Sequence, residues 1–444
     1  MTWDMRGYLD ILDKKGELAV IKKKVSTKFE IAAVTSKVDG SKALLFENVR
    51  DTKFRVVSNL VGTRKRFAYA VGSTEDKIHA KVISAIKHAS KPKLIPKAKF
   101  MENQSRDLFT LPIITHFEKE PGPFITSSII YAKNQEMGTQ NSSFNRLLRI
   151  DEKHFSIRMV EGRHLHRTFV HAKEHGEDLK VAISIGVHPA ISIAGAYQAD
   201  WGKDELEIAN ELLDKKLTLS KLPYSQMSVP SESEIIIEGK ILQDKTHKEW
   251  MVEMLRTYDF KREQPVFELE RIYFRDNPIF HDILAGFGEH QLLMGMPIEA
   301  KINKELKHVL PQTKNVVLTE GGCKWLHAVV QISKKHESDP KKAIDATFAA
   351  HRSLKNVVVV DDDIDPSDPV AVEYAMATRF QADTDLVIIP KVRGSSLDPS
   401  SDQKNLLTTK MGVDATKSFS KRSEGFEIAK IPGADKLSLK NYIK

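Results

Sequence analysis

The apolar pattern of this chain changes sharply near residue 306, and that change bounds what it can fold into. Beyond it, Val316–Leu318, Val357–Val360 and Leu386–Ile389 are short continuous apolar runs, the pattern of strands buried on both faces. Helical stretches at Lys341–His351 and Pro369–Thr378 separate them. Asp368 before Pro369 offers an N-cap followed by proline at the first helical position. Strands alternating with helices predict an α/β domain with parallel strands. Between about 111 and 305 the chain is instead rich in strands: Ile125–Ala132, Phe155–Val160, Val181–Ile185, Glu234–Ile241, Val266–Tyr273 and Ile298–Ile302, with one helix at Glu205–Leu213. That pattern suits a mostly antiparallel sheet or barrel. The first 110 residues offer a short helix at Tyr8–Lys14 and strands at Ala43–Asn48 and Phe54–Val61. A helix at Asp76–Ala89 follows, with Ile78, Val82, Ile83 and Ile86 on one face, then a proline-containing linker at Lys91–Phe100. The expectation is a multidomain α+β and α/β chain divided at 1–110, 111–305 and 306–444.

A length of 444 residues is enough for two or three domains and a large core. The net charge of +8 invites nucleic acid as a partner. Against that, 68 Lys and Arg are interleaved with 60 acidic residues, and the densest basic stretch, Lys91 to Lys99, contains two prolines and reads as a connector. A solvated surface that attracts small anions accounts for the balance without nucleic acid. No apolar run approaches the roughly 18–20 residues of a membrane span, and Met1–Arg6 lacks the apolar stretch of a signal peptide. A cytoplasmic protein without a membrane partner is expected. Cys323 is the one cysteine, which excludes an intrachain disulfide, and it reads as a packing residue. Asp361–Asp365 reads as a strand-to-helix loop rather than a metal site.

The chemistry-bearing stretch lies between Asn141 and His166. It reads Asn141-Ser-Ser-Phe-Asn-Arg146-Leu-Leu-Arg149, His154-Phe-Ser-Ile-Arg158-Met-Val160 and Gly162-Arg163-His164-Leu-His166, on strand-like segments. Asn141 and His164 offer oxygen and nitrogen donors, a mixed set that suits Mn²⁺ or Mg²⁺ better than a thiolate metal. The arginines can pair bidentately with phosphate or carboxylate oxygens. The same residues also suit a strand face turned to water, Arg149 and His154 above all.

The spacing Asn-x-Ser-x-x-Arg from Asn141 to Arg146, with Arg158-Met159-Val160 and Arg163-His164 after it, resembles the UbiD family of decarboxylases, which use prenylated flavin mononucleotide (prenyl-FMN). Asp204-Glu-Leu-Glu-Ile-Ala209 resembles that family's Asp-Glu-Leu-x-Ile-Ala run. Ala182–Ala190 and Val229–Gly239 follow in the family's order, and Glu289–Gly295, Arg393–Pro399 and Gly412–Thr416 are similar to its archaeal branch. The resemblance implies a UbiD-like fold, a central, mostly antiparallel split β-barrel for flavin binding plus a C-terminal α/β domain. It implies Asn141, His164 and Glu205 as ligands of Mn²⁺ or Mg²⁺, with Glu207 as a neighbouring alternative and K⁺ as a further candidate ion. It implies cofactor contacts at Phe144, Asn145, Arg146, Arg158, Met159, Val160, Arg163 and His164.

Thr257-Tyr258-Asp259 and Gln264 to Glu270 set a register that carries the family's proton donor onto Glu253. The chain departs from the family pattern here. Glu249-Trp250-Met251 stands where Gly-Pro-Phe is usual, and Lys248 stands where an acid often precedes the donor, so Glu249 is the candidate substitute. Met251, Val252, Met254 and Leu255 around Glu253 suit the partial burial of a general acid, as the resemblance implies, while the residues alone equally suit a surface Glu on an exposed strand or helix. Arg146 is expected to orient the substrate carboxylate. Glu289 and His290 line the site or cap a helix, and Gly394-Ser395-Ser396, with Lys391 or Arg393, forms either a phosphate cradle or a plain turn.

The activity implied is non-oxidative decarboxylation of an α,β-unsaturated acid. The archaeal-like segments imply trans-anhydromevalonate 5-phosphate as substrate and isopentenyl phosphate as product. An aromatic acid of the 4-hydroxy-3-polyprenylbenzoate type is the alternative. The implied partners are a phosphorylated, unsaturated small-molecule carboxylate, a flavin prenyltransferase that supplies the cofactor, and further copies of the chain in a homo-oligomer. A non-catalytic flavin carrier and a basic nucleic-acid-binding protein are the readings from other classes.

Overall fold

Long β-branched strands that alternate between two apolar faces build the centre of the molecule. In Leu179–Ile185 and Ile235–Glu249, Val181, Ile183, Ile185, Ile235, Ile237 and Ile241 enter one apolar core, while Ala182 and Ile236 enter a second. The period of two along a strand sends neighbours to opposite faces, so this sheet is covered on both. The computed structural model describes residues 3–442 except 198, 422, 430, 434–436 and 439–441. It divides the chain into two units, one of Met1–Lys304, Leu318–His327 and Ser396–Pro399, the other of Glu305–Val317, Ala328–Ser395 and Ser400–Lys444.

The central sheet of the first unit runs Phe124–Ile125, Leu147–Arg149, His154–Ile157, Arg262–Phe274, Ile235–Glu249, Leu179–Ile185, Ile129–Asn134 and Thr139–Phe144, with Asn103–Ser105 added on Arg262–Phe274. Neighbouring strands pair antiparallel. Its two ends are tied together by the chain itself. Phe124–Ile125 lies at one end and Ile129–Asn134 beside the other, yet only residues 126–128 separate them. Thr139–Phe144 and Leu147–Arg149 have the same relation across Asn145 and Arg146 alone. Links this short reach only about 10 Å, so the sheet must curl until its ends meet. Ser128 Oγ donates to Asn145 O at the seam, and Asn145 N donates to Ser128 O at 3.4 Å.

Around this sheet the first unit carries a four-stranded sheet, in the order Leu18–Ile21, Ala43–Phe46, Arg55–Ser58 and Ile279–Asp282, and several helices. Two of those helices, His164–Glu174 and Pro189–Ala196, were not expected from the sequence. A third overturns an expectation: Ile298–Ile302 is not a strand but part of the helix Gly288–Val309. The Met-Pro pair at 296–297 reads as a break, yet Leu292, Met296 and Ala300 are buried at a spacing of four, and tertiary burial outweighs the bond lost at Pro297.

The second unit holds a five-stranded sheet in the order Thr313–Leu318, His327–Ile332, Asn356–Asp361, Leu407–Ala415 and Leu386–Arg393. Asn356–Asp361 and Leu407–Ala415 are parallel as expected of an α/β domain, but Leu386–Arg393 is antiparallel to its neighbour and lies at the sheet edge. An apolar run reports burial, not direction, which is why the sequence missed this. Asp361 and Asp363 pair with Arg379 at 2.6 and 2.8 Å, and Lys417 adds a contact to Asp363 at 2.6 Å. Those cations pair with two of the four aspartates of the run, and Ser333 and Ser367 donate to Asp362 and Asp365, as fits a loop that leads from strand to helix.

Gly239 tests the packing of the central sheet. It sits at a register shift beside Glu238, and a Cβ there would lie 2.1 Å from Glu268 O and 2.4 Å from the Phe267 ring. Gly239→Ala should therefore destabilise the protein by about 1–3 kcal/mol, read as a lowered thermal midpoint.

Candidate functional site

Two charged clusters hang from one stretch of chain, the Thr139–Phe144 strand and the seam residues that follow it. The first is built on Asn141, Glu205 and His164. Asn141 is buried on its strand, Glu205 opens the helix Glu205–Leu212, and His164 opens the helix His164–Glu174. Asn141 Nδ2 donates to Glu205 Oε1 and Oε2 at 3.0 and 3.1 Å and lies 3.2 Å from His164 Nδ1. His164 Nδ1 is 3.8 Å from Glu205 Oε1, and Ser142 N donates to Glu205 Oε2 at 2.8 Å.

This cluster is short of positive charge. Glu205 is 2% exposed, and no Lys or Arg pairs with it among the described residues. Burial, with Glu205 and Glu207 alongside, pushes the neighbouring Asp204 carboxyl up to about 7. Asn141 Oδ1 is buried with no hydrogen-bond partner. A buried carboxylate wants a cation, and an orphaned amide oxygen wants a donor or a metal. One divalent ion taken by an amide oxygen, an imidazole nitrogen and a carboxylate would answer both. Among the described residues no group of three His, Cys, Asp or Glu is placed to hold a metal alone. A site of this kind would draw its remaining ligands from a bound phosphate and water. Glu207 has no hydrogen bond or ion pair to Asn141 or His164 among the described residues.

The second cluster is built on Arg146. Its Nε and Nη2 clasp Glu249 bidentately, both at 2.9 Å, Nη1 donates to Glu253 Oε1, and Nη2 reaches Asp259 Oδ2 at 3.2 Å. All three carboxylates come from the end of the Ile235–Glu249 strand and the hairpin after it. In that hairpin Glu253 N donates to Thr257 O and Asp259 N to Met251 O, both at 2.8 Å. Past the register shift between Ile241 and Thr246, alternation turns Lys248 outward, 4.0 Å from Glu263, and Glu249 inward. Glu249, not residue 248, is therefore the strand's contact with Arg146.

The carboxylates differ in what they have left to offer. Both Glu249 oxygens are held by Arg146, and its side chain is 1% exposed. Both Asp259 oxygens are engaged, by Arg146, Arg262 and the Phe260 N–H. Burial works to raise the Asp259 carboxyl, but Arg262 and Arg146 outweigh it and hold it below its ordinary value. Glu253 gives Arg146 one oxygen only, and its side chain is 22% exposed. Burial opposes the charge on Arg146, but Glu253, Glu249 and Asp259 raise its pKa above the ordinary value.

The other expected contacts fall along the same wall. Asn145 Nδ2 donates to Arg158 O at 2.9 Å and Ser143 Oγ donates to Asn145 Oδ1 at 2.9 Å, so this side chain braces the seam. Arg158 lies 3.8 Å from Asp259 and 4.0 Å from Glu249. Phe144 packs partly against the core, and Met159 is buried in it with its N–H on Gln264 Oε1 at 2.8 Å. Val160 is 48% exposed. Arg163 precedes the His164 helix, has no ion pair among the described residues, and has its pKa lowered by burial. Glu289 and His290 sit in the first turn of the Gly288–Val309 helix. Glu289 Oε1 accepts from Val61 N at 3.2 Å, while His290 Nδ1 accepts from Gly286 N at 3.0 Å. Burial lowers the His290 pKa, and Glu253 and Arg146 act on it electrostatically. Gly394 N is committed to Leu406 O at 2.9 Å, within its own hairpin.

Sequence reasoning missed Trp201 and Arg167. The Trp201 ring meets His164 edge-on at 5.1 Å, and the Arg167 guanidinium stacks on it at 3.8 Å. The spacing of three from His164 to Arg167 was the available signal, since it puts both on one helix face. Asp259 stands in the sequence only as part of the Thr257-Tyr258-Asp259 run, yet it reaches Arg146.

Residues 9–86, 89–287 and 291–415 match in turn the N-terminal, Rift-related and C-terminal domains of the 3-octaprenyl-4-hydroxybenzoate carboxy-lyase family, UbiD. An anhydromevalonate phosphate decarboxylase of Methanocaldococcus jannaschii is 43% identical over 93% of this chain and 97% of its own. A protein of the same name from Methanosarcina mazei is 40% identical over 96% and 99%. Among solved structures, the UbiD-class enzyme HmfF from Pelotomaculum thermopropionicum in complex with FMN superposes with a TM-score of 0.97. It is 38% identical and covers 99% of this chain and 100% of its own. An evolved dimeric form of HmfF in complex with prFMN gives 0.93 at 36% identity, covering 100% of each chain. Fold and matches together define a carboxy-lyase, an enzyme that removes CO₂. The chain belongs to the UbiD family.

Arg146→Ala should destabilise the protein by about 3–5 kcal/mol near neutral pH, because it leaves buried carboxylates unpaired. The sign with pH follows from Asp259. Its folded-state pKa is depressed, so its contribution is present above the unfolded value of about 3.9 and is lost as pH falls through the folded one. The gap between wild type and variant should narrow on acidification, as measured by denaturant unfolding at neutral and acid pH.

Proposed function

We propose that the chain is a prenyl-FMN-dependent decarboxylase that converts trans-anhydromevalonate 5-phosphate to isopentenyl phosphate and CO₂. Near full-length similarity to proteins named for that substrate supports the choice. The observation that carries the mechanism is the unequal hold of Arg146 on its carboxylates: Glu253 alone keeps an oxygen without a partner among the described residues and an opening to the site.

Asn141 lies on the Thr139–Phe144 strand and Arg146 on the link that follows it, so the two clusters are neighbours along one piece of chain and could take the two ends of one cofactor. Asn141, His164 and Glu205 would hold a Mn²⁺ or Mg²⁺ ion on the phosphate, with Arg163 as a further cation for it. Arg158, Phe144 and Val160 would flank the ring. When bound, prenyl-FMN would supply the electron sink that an sp² carbon lacks as CO₂ leaves.

The chain's own residues supply position and a proton. Breaking the C–CO₂⁻ bond leaves an electron pair on carbon, and one proton must take its place. Glu253 delivers it from the unpartnered oxygen and is reprotonated from solvent through its exposed edge. Arg146 has five N–H donors and spends four on Glu249, Glu253 and Asp259, which leaves one on Nη1 for the substrate carboxylate. With Glu253 protonated, Arg146, Arg158 and Arg262 face the two charged carboxylates Glu249 and Asp259, which leaves a single positive charge to hold the substrate carboxylate without strongly favouring its ground state. The net positive charge of the chain suits a substrate that carries both phosphate and carboxylate. A flavin prenyltransferase in the same cell would supply the cofactor, and the chain would work as a homo-oligomer.

The test is CO₂ release from trans-anhydromevalonate 5-phosphate by protein co-expressed with a flavin prenyltransferase and given Mn²⁺. Turnover dependent on the prenylated flavin is the expected result. Bound cofactor with turnover only of aromatic acids would overturn the substrate, and no flavin at all would overturn the cofactor. Glu253→Gln should retain the flavin spectrum while kcat falls by at least about 10²-fold, the scale of a lost general acid. Asn141→Ala should lose tight Mn²⁺ binding, read by electron paramagnetic resonance without any turnover, and should lose flavin with it.

A further inference from the structure

The hairpin that carries Glu253 and Asp259 follows directly from Glu249 at the end of its strand. It is held internally by a Val252–Tyr258 bridge and by the N–H bonds of Glu253, Arg256 and Asp259. Its underside is apolar: Met251 and Val252 pack with Phe124, Leu148 and Ala285.

Its outer side is strapped. Trp250 Nε1 donates to Lys119 O at 2.6 Å, and Lys119 N donates to the Tyr258 hydroxyl at 3.1 Å. Both ends of the hairpin therefore tie to one residue of the segment His116–Glu120. That segment is itself anchored. His116 Nε2 meets Asp282 Oδ1 at 2.8 Å in a buried ion pair, and Glu120 Oε2 accepts from His116 N and Phe117 N at 2.8 and 3.1 Å. Phe117 packs on the same apolar cluster as Met251 and Val252. Burial opposes the charge on His116, but Asp282 and Glu120 prevail and carry its pKa to about 10, so the anchor stays ionised at neutral pH.

We propose that Trp250 is a positioning residue: through Lys119 it clamps the hairpin against the His116–Glu120 segment and keeps Glu253 in contact with Arg146. The inference rests on Glu253 as the proton donor, since a clamp on that hairpin matters to turnover only if the hairpin acts in turnover. A carboxyl displaced by about 1 Å loses much of its rate, so removal of the ties should act on kcat.

The experiment compares the full-length holoenzyme with Trp250→Phe, Tyr258→Phe and the double variant. Tyr258→Phe removes only the hydroxyl, whereas Trp250→Phe keeps a ring but removes the indole N–H together with part of the ring that Lys261 lies over at 4.4 Å, so the Tyr258→Phe result isolates the polar tie. The expected result is a kcat about 10-fold lower in the double variant, with KM within about twofold and unchanged flavin content. Amide exchange should be faster at Glu253 and Asp259 and unaltered in the central sheet. Unchanged exchange at those amides would show that the strap does not hold the hairpin and would overturn the proposal. Faster exchange with kcat within twofold of wild type would overturn it as well, because the hairpin would then not need holding. Full activity in Glu253→Gln, measured alongside, would instead remove the proton-donor assignment, and the exchange result would still report on the strap.

Discussion

Arg146 is the interaction on which the site depends. A guanidinium this well buried is costly to desolvate, and it is tolerated because four of its five N–H groups are spent on three carboxylates. That demand reaches far along the chain. Glu249 must end a long strand facing inward, and Glu253 and Asp259 must be returned to it by a hairpin with a left-handed residue, Arg256, at φ 62°. The sheet must curl until its ends meet, because Arg146 lies on the two-residue link that joins them. Fold closure and charge assembly are thus one event. A sheet left open would strand three carboxylates without their partner.

The second cluster uses the opposite logic. At Arg146 the protein supplies its own counter-charge. At Glu205 it withholds one, giving a buried carboxylate an amide, a histidine and a main-chain N–H but no Lys or Arg among the described residues. One cluster is complete without a ligand, and the other calls for a cation. Both hang from one stretch of chain, Asn141 on the Thr139–Phe144 strand and Arg146 on the link after it, and that link is pinned at the seam by the Ser128 and Asn145 hydrogen bonds.

Much of this was legible in the residues. Asn141, His164 and Glu205 lie far apart in sequence and converge in space, and Arg146 and Glu253 meet across 107 positions. A colinear resemblance over most of the chain made these pairs findable, since the spacing of one short motif cannot specify contacts so distant. What stayed hidden was decided by geometry that a pattern does not encode. Glu249 faces inward because a register shift changes which residues of its strand do, and a shifted strand looks like any other in sequence. Ile298–Ile302 is helical because Leu292, Met296 and Ala300 need burial together, which a Met-Pro pair disguises. Leu386–Arg393 runs antiparallel because strand direction depends on connectivity.

The way the carboxylates share Arg146 also settles how one arginine can serve two purposes. If all three were held alike, the site would be a structural ion cluster with nothing to give. The bidentate clasp of Glu249 fixes the plane of the guanidinium, and Asp259 is secured from its other side by Arg262. With the plane fixed, Nη1 is the one nitrogen whose donors face the remaining, partly exposed carboxyl. Glu253 and a substrate carboxylate would then meet at the same nitrogen, one to give a proton and the other to leave as CO₂. The buried pair fixes the guanidinium and leaves Glu253 as the exposed member. Without the Glu249 clasp the guanidinium would be free to turn toward Glu253 and take up its second oxygen, so the inward turn of Glu249 past the register shift is what keeps that oxygen open.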